Sequence, residues 1–553
     1  MIAALPVRDG AAAARWRGWL PFVAVALVYA VVTAHRIELP SLFADAVNPD
    51  YLAASLLSAH PERGIVWVLF GNSLLGDRAP VLISLYHGSQ QYWLGLPFYA
   101  VFGTGVTGVR LTHAMFALFV LAALHALLLR GGLRPWLAAA VGAALAVDPA
   151  FSYAFRTQAY ITVAPAAWLL LSLVCLSRAP EAAKPARWLF ASGALCGLAA
   201  VGYFVWAFVL PPIAFAASRW MRGVPLARPA WLTWTRGLAT GSVFYPIGYL
   251  LIARKLGSFT GMVDFVREQQ AHLGAFRSAL PPGERLAHAW RTLDAVVNAH
   301  WHSAIMFGGE IVPAPAPALK VALLVGLPYL LWGAAEATRR ATPVQRLLVA
   351  LPVSFVACAL VFGDRLGGHH FVTLVPLLYA ALGVGLATLL PARGLPKCVG
   401  VVAPVVALAA MNVLGQERIA DTLAQTRGRG FLSDAIHRFA DDLNAMERKP
   451  FLWFAEPALA LPVIMITRAG IPVSDRIDDP DPRRALCSGR DVLMVRVPNH
   501  HSEPRGREWL AKLGWDAPVV TPYAQADGAV VFEVLAFRGR RDGPGCADAG
   551  AVR

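Results

Sequence analysis

Residues 110–130 read RLTHAMFALFVLAALHALLLR: nineteen residues without Asp, Glu, Lys or Arg, held between Arg110 and Arg130. A helix needs about 20 apolar residues to cross a hydrocarbon layer about 30 Å thick. A helix on a soluble core would instead keep one polar face. Similar runs recur at about 19–35, 135–150, 159–177, 187–202, 203–218, 237–253, 317–335, 347–362, 371–390 and 398–415. The chain therefore reads as a polytopic α-helical membrane protein of about eleven transmembrane helices, two of them meeting near Gly202-Tyr203. No window repeats another at a fixed period, which argues against a solenoid or an inverted-repeat architecture.

Composition agrees. Of 553 residues, 57% are hydrophobic and 15% charged, with a mean hydropathy of +0.53. Soluble domains run near 45–50% apolar and about 25% charged. A soluble enzyme, a disordered chain and a small disulfide scaffold are all excluded. The net charge of +15 would suggest nucleic-acid binding if it formed one basic surface, but it does not.

Lys and Arg in short loops mark the cytoplasmic side. With the N-terminus inside, the inner segments carry seventeen basic residues, from Arg8 to Lys397, against three acids, Asp9, Glu181 and Glu336. The short outer turns carry only Arg156 and Arg365. The tail from 416 balances nineteen Lys or Arg against nineteen Asp or Glu. The charge is thus a topology signal directed at the inner leaflet of a plasma membrane; no nucleic-acid partner is implied. Twelve of the fifteen acids before 416 lie outside the cytoplasmic segments, where a carboxylate base for an extracytoplasmic reaction would have to be.

Two segments, 36–110 and 254–316, are too polar to be spans and form long extracytoplasmic loops of a transmembrane domain, 1–415. Residues 416–553 form a C-terminal domain that odd span parity also places outside. Its short apolar runs, Phe451–Phe454, Val492–Val497 and Ala529–Ala536, alternate with helical patterns at Phe431–Met446 and Arg507–Leu513. This is the pattern of a small α/β domain. Cys175, Cys196, Cys358 and Cys398 lie in or beside spans and read as packing residues. Cys487 and Cys546 both lie in the tail, where an oxidising compartment permits a disulfide between them.

His113 and His125 are the only ionisable residues read inside the spans, and both read as packing histidines. Polar residues gather instead at the outer span ends. After the first span come Asp45-Ala46-Val47-Asn48-Pro49-Asp50-Tyr51 and an apolar helical run, Leu52–Ala59. Asp50 has two readings, a plain helix cap or a carboxylate held at the membrane surface as a general base. Later in the same loop stand Tyr86-His87-Gly88-Ser89-Gln90-Gln91-Tyr92-Trp93. Aromatics mark an interface, but the histidine and amides beside them do not belong to an aromatic belt. Two further outer turns are polar: Asp148-Pro149 with Arg156-Thr157-Gln158-Ala159-Tyr160, and Asp364-Arg365-Leu366-Gly367-Gly368-His369-His370. A divalent metal on the histidines would need a third ligand from Asp45, Asp50 or Glu310, and no recognised ligand spacing is present.

These clusters, in this order and on one side, make residues 1–415 resemble the GT-C superfamily of membrane glycosyltransferases. More narrowly, the chain is similar to the bacterial family 39-like branch related to protein O-mannosyltransferases and aminoarabinose transferases. The carrying residues are Asp45 to Tyr51, Tyr86 to Arg110, Arg156 to Tyr160, and His369-His370 with Pro376. The tail matches no family. The family pattern has an Asp-Glu pair after the first span; here Asp45-Ala46 and Asp50-Tyr51 stand instead. Asp50 is favoured as its counterpart because it directly precedes a helical run, and Asp45 is the alternative.

The resemblance implies an inverting glycosyltransferase, a hexosyl- or pentosyltransferase. Its donor would be a sugar on a polyprenyl phosphate, and its acceptor an extracytoplasmic glycan, lipid or protein. Asp50 or Asp45 would be the base. Tyr86, His87, Arg156, Gln158, Tyr160, Arg365, His369 and His370 would bind substrate and the departing phosphate. A lipid or polysaccharide transporter and a non-catalytic envelope-assembly protein stay open, although the charge-free spans speak against transport.

Overall fold

The computed structural model describes residues 9–58, 72–75, 79–157, 164–222, 228–272, 278–389, 395–475, 481–500 and 518–540, with isolated positions Val224, Leu226, Pro504, Glu508 and Cys546. Helix occupies each of the eleven expected places. Among the described residues, however, five helices are long and apolar enough to span a membrane alone: Val106–Arg130, Pro317–Ala337, Pro343–Arg365, Gly368–Ala387 and Val399–Thr426. A sixth counts if Pro135–Ala146 and Pro149–Thr157, bent 66° at their junction, are one span. Gly18–Ala34 and Phe204–Trp220 are shorter apolar helices. The expected count of eleven spans is therefore not reached among the described residues, where five helices, or six with the bent pair, are long and apolar enough to span and two more are shorter.

The interruptions have local causes. Pro149 has no N–H to continue the helix, and Asp148 ends one helix and caps the next by accepting from Ala150 N at 2.8 Å. The same carboxylate accepts from Lys320 Nζ at 2.8 Å and from Tyr379 Oη at 2.7 Å, and Asn412 donates to that hydroxyl at 2.7 Å. Lys320 and Asp148 are both buried. The spans are therefore less free of charge than the sequence suggested, and a paired charge ties three of them to the bend. Elsewhere packing is apolar and close. The helices Pro185–Gly202 and Ala230–Gly241 approach through Gly193, Gly197, Gly237 and Gly241, where a Cβ would run into the facing backbone; small residues spaced by four are the usual means of such contact.

The first long loop folds into short helices, Ala44–Val47 and Tyr51–Leu57, and two hairpins. The hairpins pair β1 (Ser73–Leu74) with β2 (Ala79–Pro80) and β3 (Leu82–Ser84) with β4 (His87–Gly88). A helix, Gln90–Phe102, completes the loop. The second long loop is helical, with Phe259–His272, Pro282–Val297 and His300–Met306.

The last apolar helix continues unbroken from Leu395 to Thr426, so the tail's own elements begin beyond the boundary expected at 415. They form a five-stranded mixed sheet of β5 (Phe451–Phe454), β6 (Val473–Ser474), β7 (Val492–Arg496), β8 (Val519–Ala524) and β9 (Val530–Phe537), in the order β6-β5-β7-β9-β8. Strand alternation gives the sheet two apolar faces. Phe451, Trp453, Val492, Met494 and Leu535 face Leu486 of the helix Asp481–Cys487. Leu452, Phe454, Leu493, Val495 and Phe532 pack with the helices Ala435–Ala445 and Pro457–Ile466, and that core is continuous with Leu42, Val47, Tyr51 and Leu52 of the first loop. Cys487 and Cys546 are disulfide-bonded. The helix expected at Arg507–Leu513 lies outside the described residues except for Glu508.

Candidate active site at one end of the helices

Asp50 directly precedes the helix Tyr51–Leu57, yet its side chain makes no capping bond. The plain cap reading therefore fails. The carboxylate turns inward and is completely buried. Its Oδ2 accepts from Gln91 Nε2 at 2.5 Å and lies 2.8 Å from His113 Nε2. The other ring nitrogen, Nδ1, is 3.2 Å from the Phe155 carbonyl. That carbonyl can only accept, so Nδ1 carries a hydrogen, and the Nε2–Oδ2 contact needs one further proton shared by imidazole and carboxylate. Tyr99 Oη stands 3.4 Å from the same Nε2. His113 is thus no apolar packing residue. His125 does behave as one, with Nε2 on the Gly18 carbonyl at 3.0 Å and its ring against Trp19 and Phe22.

One turn before His113, Arg110 donates to the carbonyls of Arg156, Pro40 and Ser41. Arg156 is itself buried. Its terminal nitrogens donate to the carbonyls of Val32, Thr33, His35 and Leu39, at 2.9, 3.0, 3.2 and 3.1 Å. Helix C-termini leave carbonyls unpaired, and here one guanidinium closes the end of Asp9–Ala34 and fixes the turn leading to the acidic loop. The sequence suggested Arg156 for a phosphate; in this structure its guanidinium is engaged with backbone.

Asp45 lies on the helix Ala44–Val47 and, unlike Asp50, is only half-buried. Burial and the charge of nearby Asp45 push the Tyr86 hydroxyl above its ordinary range. The Tyr86 ring stands edge-on to Tyr203 at 5.7 Å and to Phe204 at 5.4 Å. Tyr203 Oη is 3.3 Å from His370 Nε2, and His87 lies 5.9 Å from the Tyr203 ring. The rings of His369 and His370 are 3.8 Å apart, and Trp301 is 6.0 Å from His369. Tyr86, Tyr203, His370, His369 and Trp301 therefore form one continuous polar-aromatic wall, and Asp45 acts by its charge on the Tyr86 end of it. The Trp301 indole nitrogen in it is buried without a hydrogen-bond partner among the described residues. His87, buried behind Tyr203, has its imidazole pushed down to about 3 by desolvation, so it is neutral at physiological pH. Gly367 N donates to His370 Nδ1 at 3.1 Å, which leaves Nε2 of that neutral ring for the hydrogen.

Of the residues suggested by sequence, the structure brings Tyr86, His87, His369 and His370 together around Tyr203, with the charge of Asp45 felt at Tyr86. Arg365 is exposed in the turn Gly363–Arg365 just before the histidines. Gln158 and Tyr160 lie outside the described residues. Tyr203, Trp301, Gln91, Tyr99 and His113 were not recognised as site residues; the junction at Gly202-Tyr203 was the available signal for the first of them. Among the described residues no three His, Cys, Asp or Glu side chains gather as a metal site, and Glu310 pairs with Arg429.

The structure is similar to apo ArnT, the aminoarabinose transferase of Cupriavidus metallidurans, over 95% of this chain and 98% of that one, with a TM-score of 0.57 and 15% identity. ArnT bound to undecaprenyl phosphate matches over 94% and 98%, with a TM-score of 0.56 and 15% identity. The fold is that of ArnT. An apo oligosaccharyltransferase from Archaeoglobus fulgidus aligns with 91% of this chain and 69% of its own, at a TM-score of 0.48 and 12% identity. No family model matches the chain, and no curated protein does. Because the ArnT match spans 95% of the chain, the likeness extends into the tail, for which the sequence offered no relative.

Proposed function

We propose that the protein is an integral-membrane glycosyltransferase that moves a sugar from a polyprenyl phosphate to an extracytoplasmic acceptor, with the N-terminus cytoplasmic and the wall of Tyr86 and His370 outside. The observation that carries the proposal is that wall. The charge of a half-buried carboxylate, Asp45, is felt at its Tyr86 end, and its hydrogen-bonding rings lie at the end of the helices where, in this reading, a lipid-borne phosphate would lie. The ArnT match supports the donor class, since that protein binds undecaprenyl phosphate.

In this reading Asp45, rather than Asp50, is the base. A base must reach the acceptor proton, and Asp50 is sealed against Gln91 and His113. Asp45 takes the proton of the acceptor hydroxyl as its oxygen attacks the anomeric carbon from the face opposite the phosphate. The bond from that carbon to the phosphate oxygen breaks, its electron pair leaves with the lipid phosphate, and the configuration inverts. Arg365, exposed at the rim, supplies a cation for the phosphate oxygens, with the buried His370 and Trp301 packed behind it. Asp50, Gln91, His113, Arg110 and Arg156 position the loop that carries the base.

The test compares envelope glycans and glycolipids of cells carrying no gene, the native gene and Asp45→Asn. One sugar modification should vanish without the gene and with Asp45→Asn. An unchanged set of glycans in both would remove the proposal. Normal modification by Asp45→Asn, with loss in the null strain, would remove Asp45 as base while leaving the enzyme.

A further inference from the structure

At the far end of the helices lies a cavity that the reaction does not use. Its volume is about 650 Å³. It sits where Val106–Arg130 and Pro165–Arg178 end and Pro343–Phe362 begins. The last of these helices has 20 residues, about 30 Å at 1.5 Å per residue. Its other end, Phe362, packs 6.0 Å from Phe204 beside the wall of Tyr203 and His370. The two sites are therefore a membrane's thickness apart.

Three arginines, Arg130, Arg219 and Arg346, line the cavity together with one acid, Glu181. Arg130 is held by the Ser177 carbonyl at 2.7 Å and by Glu181 at 2.8 Å. Arg346 pairs with Glu336 through Nε and one terminal nitrogen, at 2.5 and 2.9 Å. Arg219, in the last turn of Leu210–Trp220, has no carboxylate partner among the described residues. Phe215, Pro212, Leu347 and Ala350 continue the wall away from the charges, and Phe215 is 65% exposed. Small anions need no apolar wall, and an uncharged chain needs no arginine trio. Cations closing one end of an apolar groove match a phosphate attached to acyl chains.

We infer that this cavity binds the phosphate headgroup of an anionic glycerophospholipid, with Arg219 as its free cation, pre-set Arg130 and Arg346 beside it, and the acyl chains along Phe215 and Leu347. The assignment to the inner leaflet rests on the orientation proposed above; the binding itself does not.

The experiment is native mass spectrometry of the full chain in detergent, equilibrated with equal amounts of phosphatidylglycerol and phosphatidylcholine, for the native protein, Arg219→Gln and Arg228→Gln. Arg228 is exposed and does not line the cavity. The native protein should retain phosphatidylglycerol preferentially, and Arg219→Gln should lose about fivefold of that preference while Arg228→Gln keeps it. Equal retention of the two lipids, or an equal loss in both variants, overturns the site in favour of diffuse surface charge. Complete displacement of phosphatidylglycerol by millimolar inorganic phosphate overturns the lipid in favour of a small anion. Neither orientation nor sugar transfer enters this readout, so its failure is separable from theirs.

Discussion

His113 Nε2 lies 2.8 Å from Asp50 Oδ2, and both side chains are excluded from solvent. Removing one member of a buried ion pair leaves the other unsatisfied and costs about 3–5 kcal/mol. We expect His113→Ala and Asp50→Ala to lower the thermal midpoint of the detergent-solubilised protein sharply. Asp50→Asn should be milder than Asp50→Ala, because the amide keeps the shape of the side chain and can keep one of the two contacts made at Oδ2, to Gln91 or to His113. Equal losses for Asp50→Asn and Asp50→Ala would show that the charge itself, and not the hydrogen-bond pattern, is needed.

Asp45 is only half-buried. Asp45→Asn should change stability by about 0.5 kcal/mol or less, as substitutions outside the core do, and lower transfer by about 10²–10⁴-fold, the usual worth of a general base. Quantifying modified glycolipid in cells with matched protein levels measures the second effect.

Tyr203→Phe removes only the hydroxyl facing His370 Nε2 and retains the ring contacts with Tyr86. A neutral hydrogen bond contributes about 0.5–1.5 kcal/mol. The expected result is a loss of transfer of about 2–12-fold with a preserved fold, read in the same assay. A loss as large as that of Asp45→Asn would place the hydroxyl in the chemistry itself.

Arg156→Lys keeps the charge but not the planar fork that reaches several carbonyls at once. Transfer and thermal stability should fall together, and raising donor concentration should not restore the rate. A pure rise in KM would instead return Arg156 to the phosphate.

His437, on the helix Ala435–Ala445, accepts a hydrogen bond from Leu42 N at 3.4 Å. Burial, with Arg110 nearby, pushes its imidazole down to about 4. A histidine lowered on folding contributes stability that is complete above its unfolded value of about 6.5 and is lost as pH falls through that value toward about 4. His87 and His302, lowered by burial to about 3 and about 4, add to the same acid loss. As the pH falls from 6.5 to 4, amide protection, measured against the intrinsic exchange rate at each pH, should therefore fall around residues 41–47, and His437→Gln should remove part of that pH dependence. Protection indifferent to pH in that segment would contradict the assignment.

The spans, the two long loops and the tail's strands were legible because bilayer-length apolar runs and period-two alternation are local patterns. The site was legible only in part, for a physical reason. Asp45, Tyr86, His369 and His370 announce themselves as polar groups at outer span ends. The partner of Asp50 is a histidine inside an otherwise apolar run, and nothing local distinguishes it from His125, which packs. Arg156 looked suited to a phosphate because sequence records a guanidinium but not which carbonyls surround it. Lys320 opens a span, and only the fold brings Asp148 to it.

Phe43 stacks on Phe431 with ring centroids 6.1 Å apart, and Leu42 meets His437 across a separation of 395 residues. The acidic loop thus emerges early in synthesis, while the surface it rests on is made last and must reach the same side of the membrane. A chain broken off after its final span would carry Asp45, Tyr203 and His370 but not that support, so the loop would take its seat only once translation is complete.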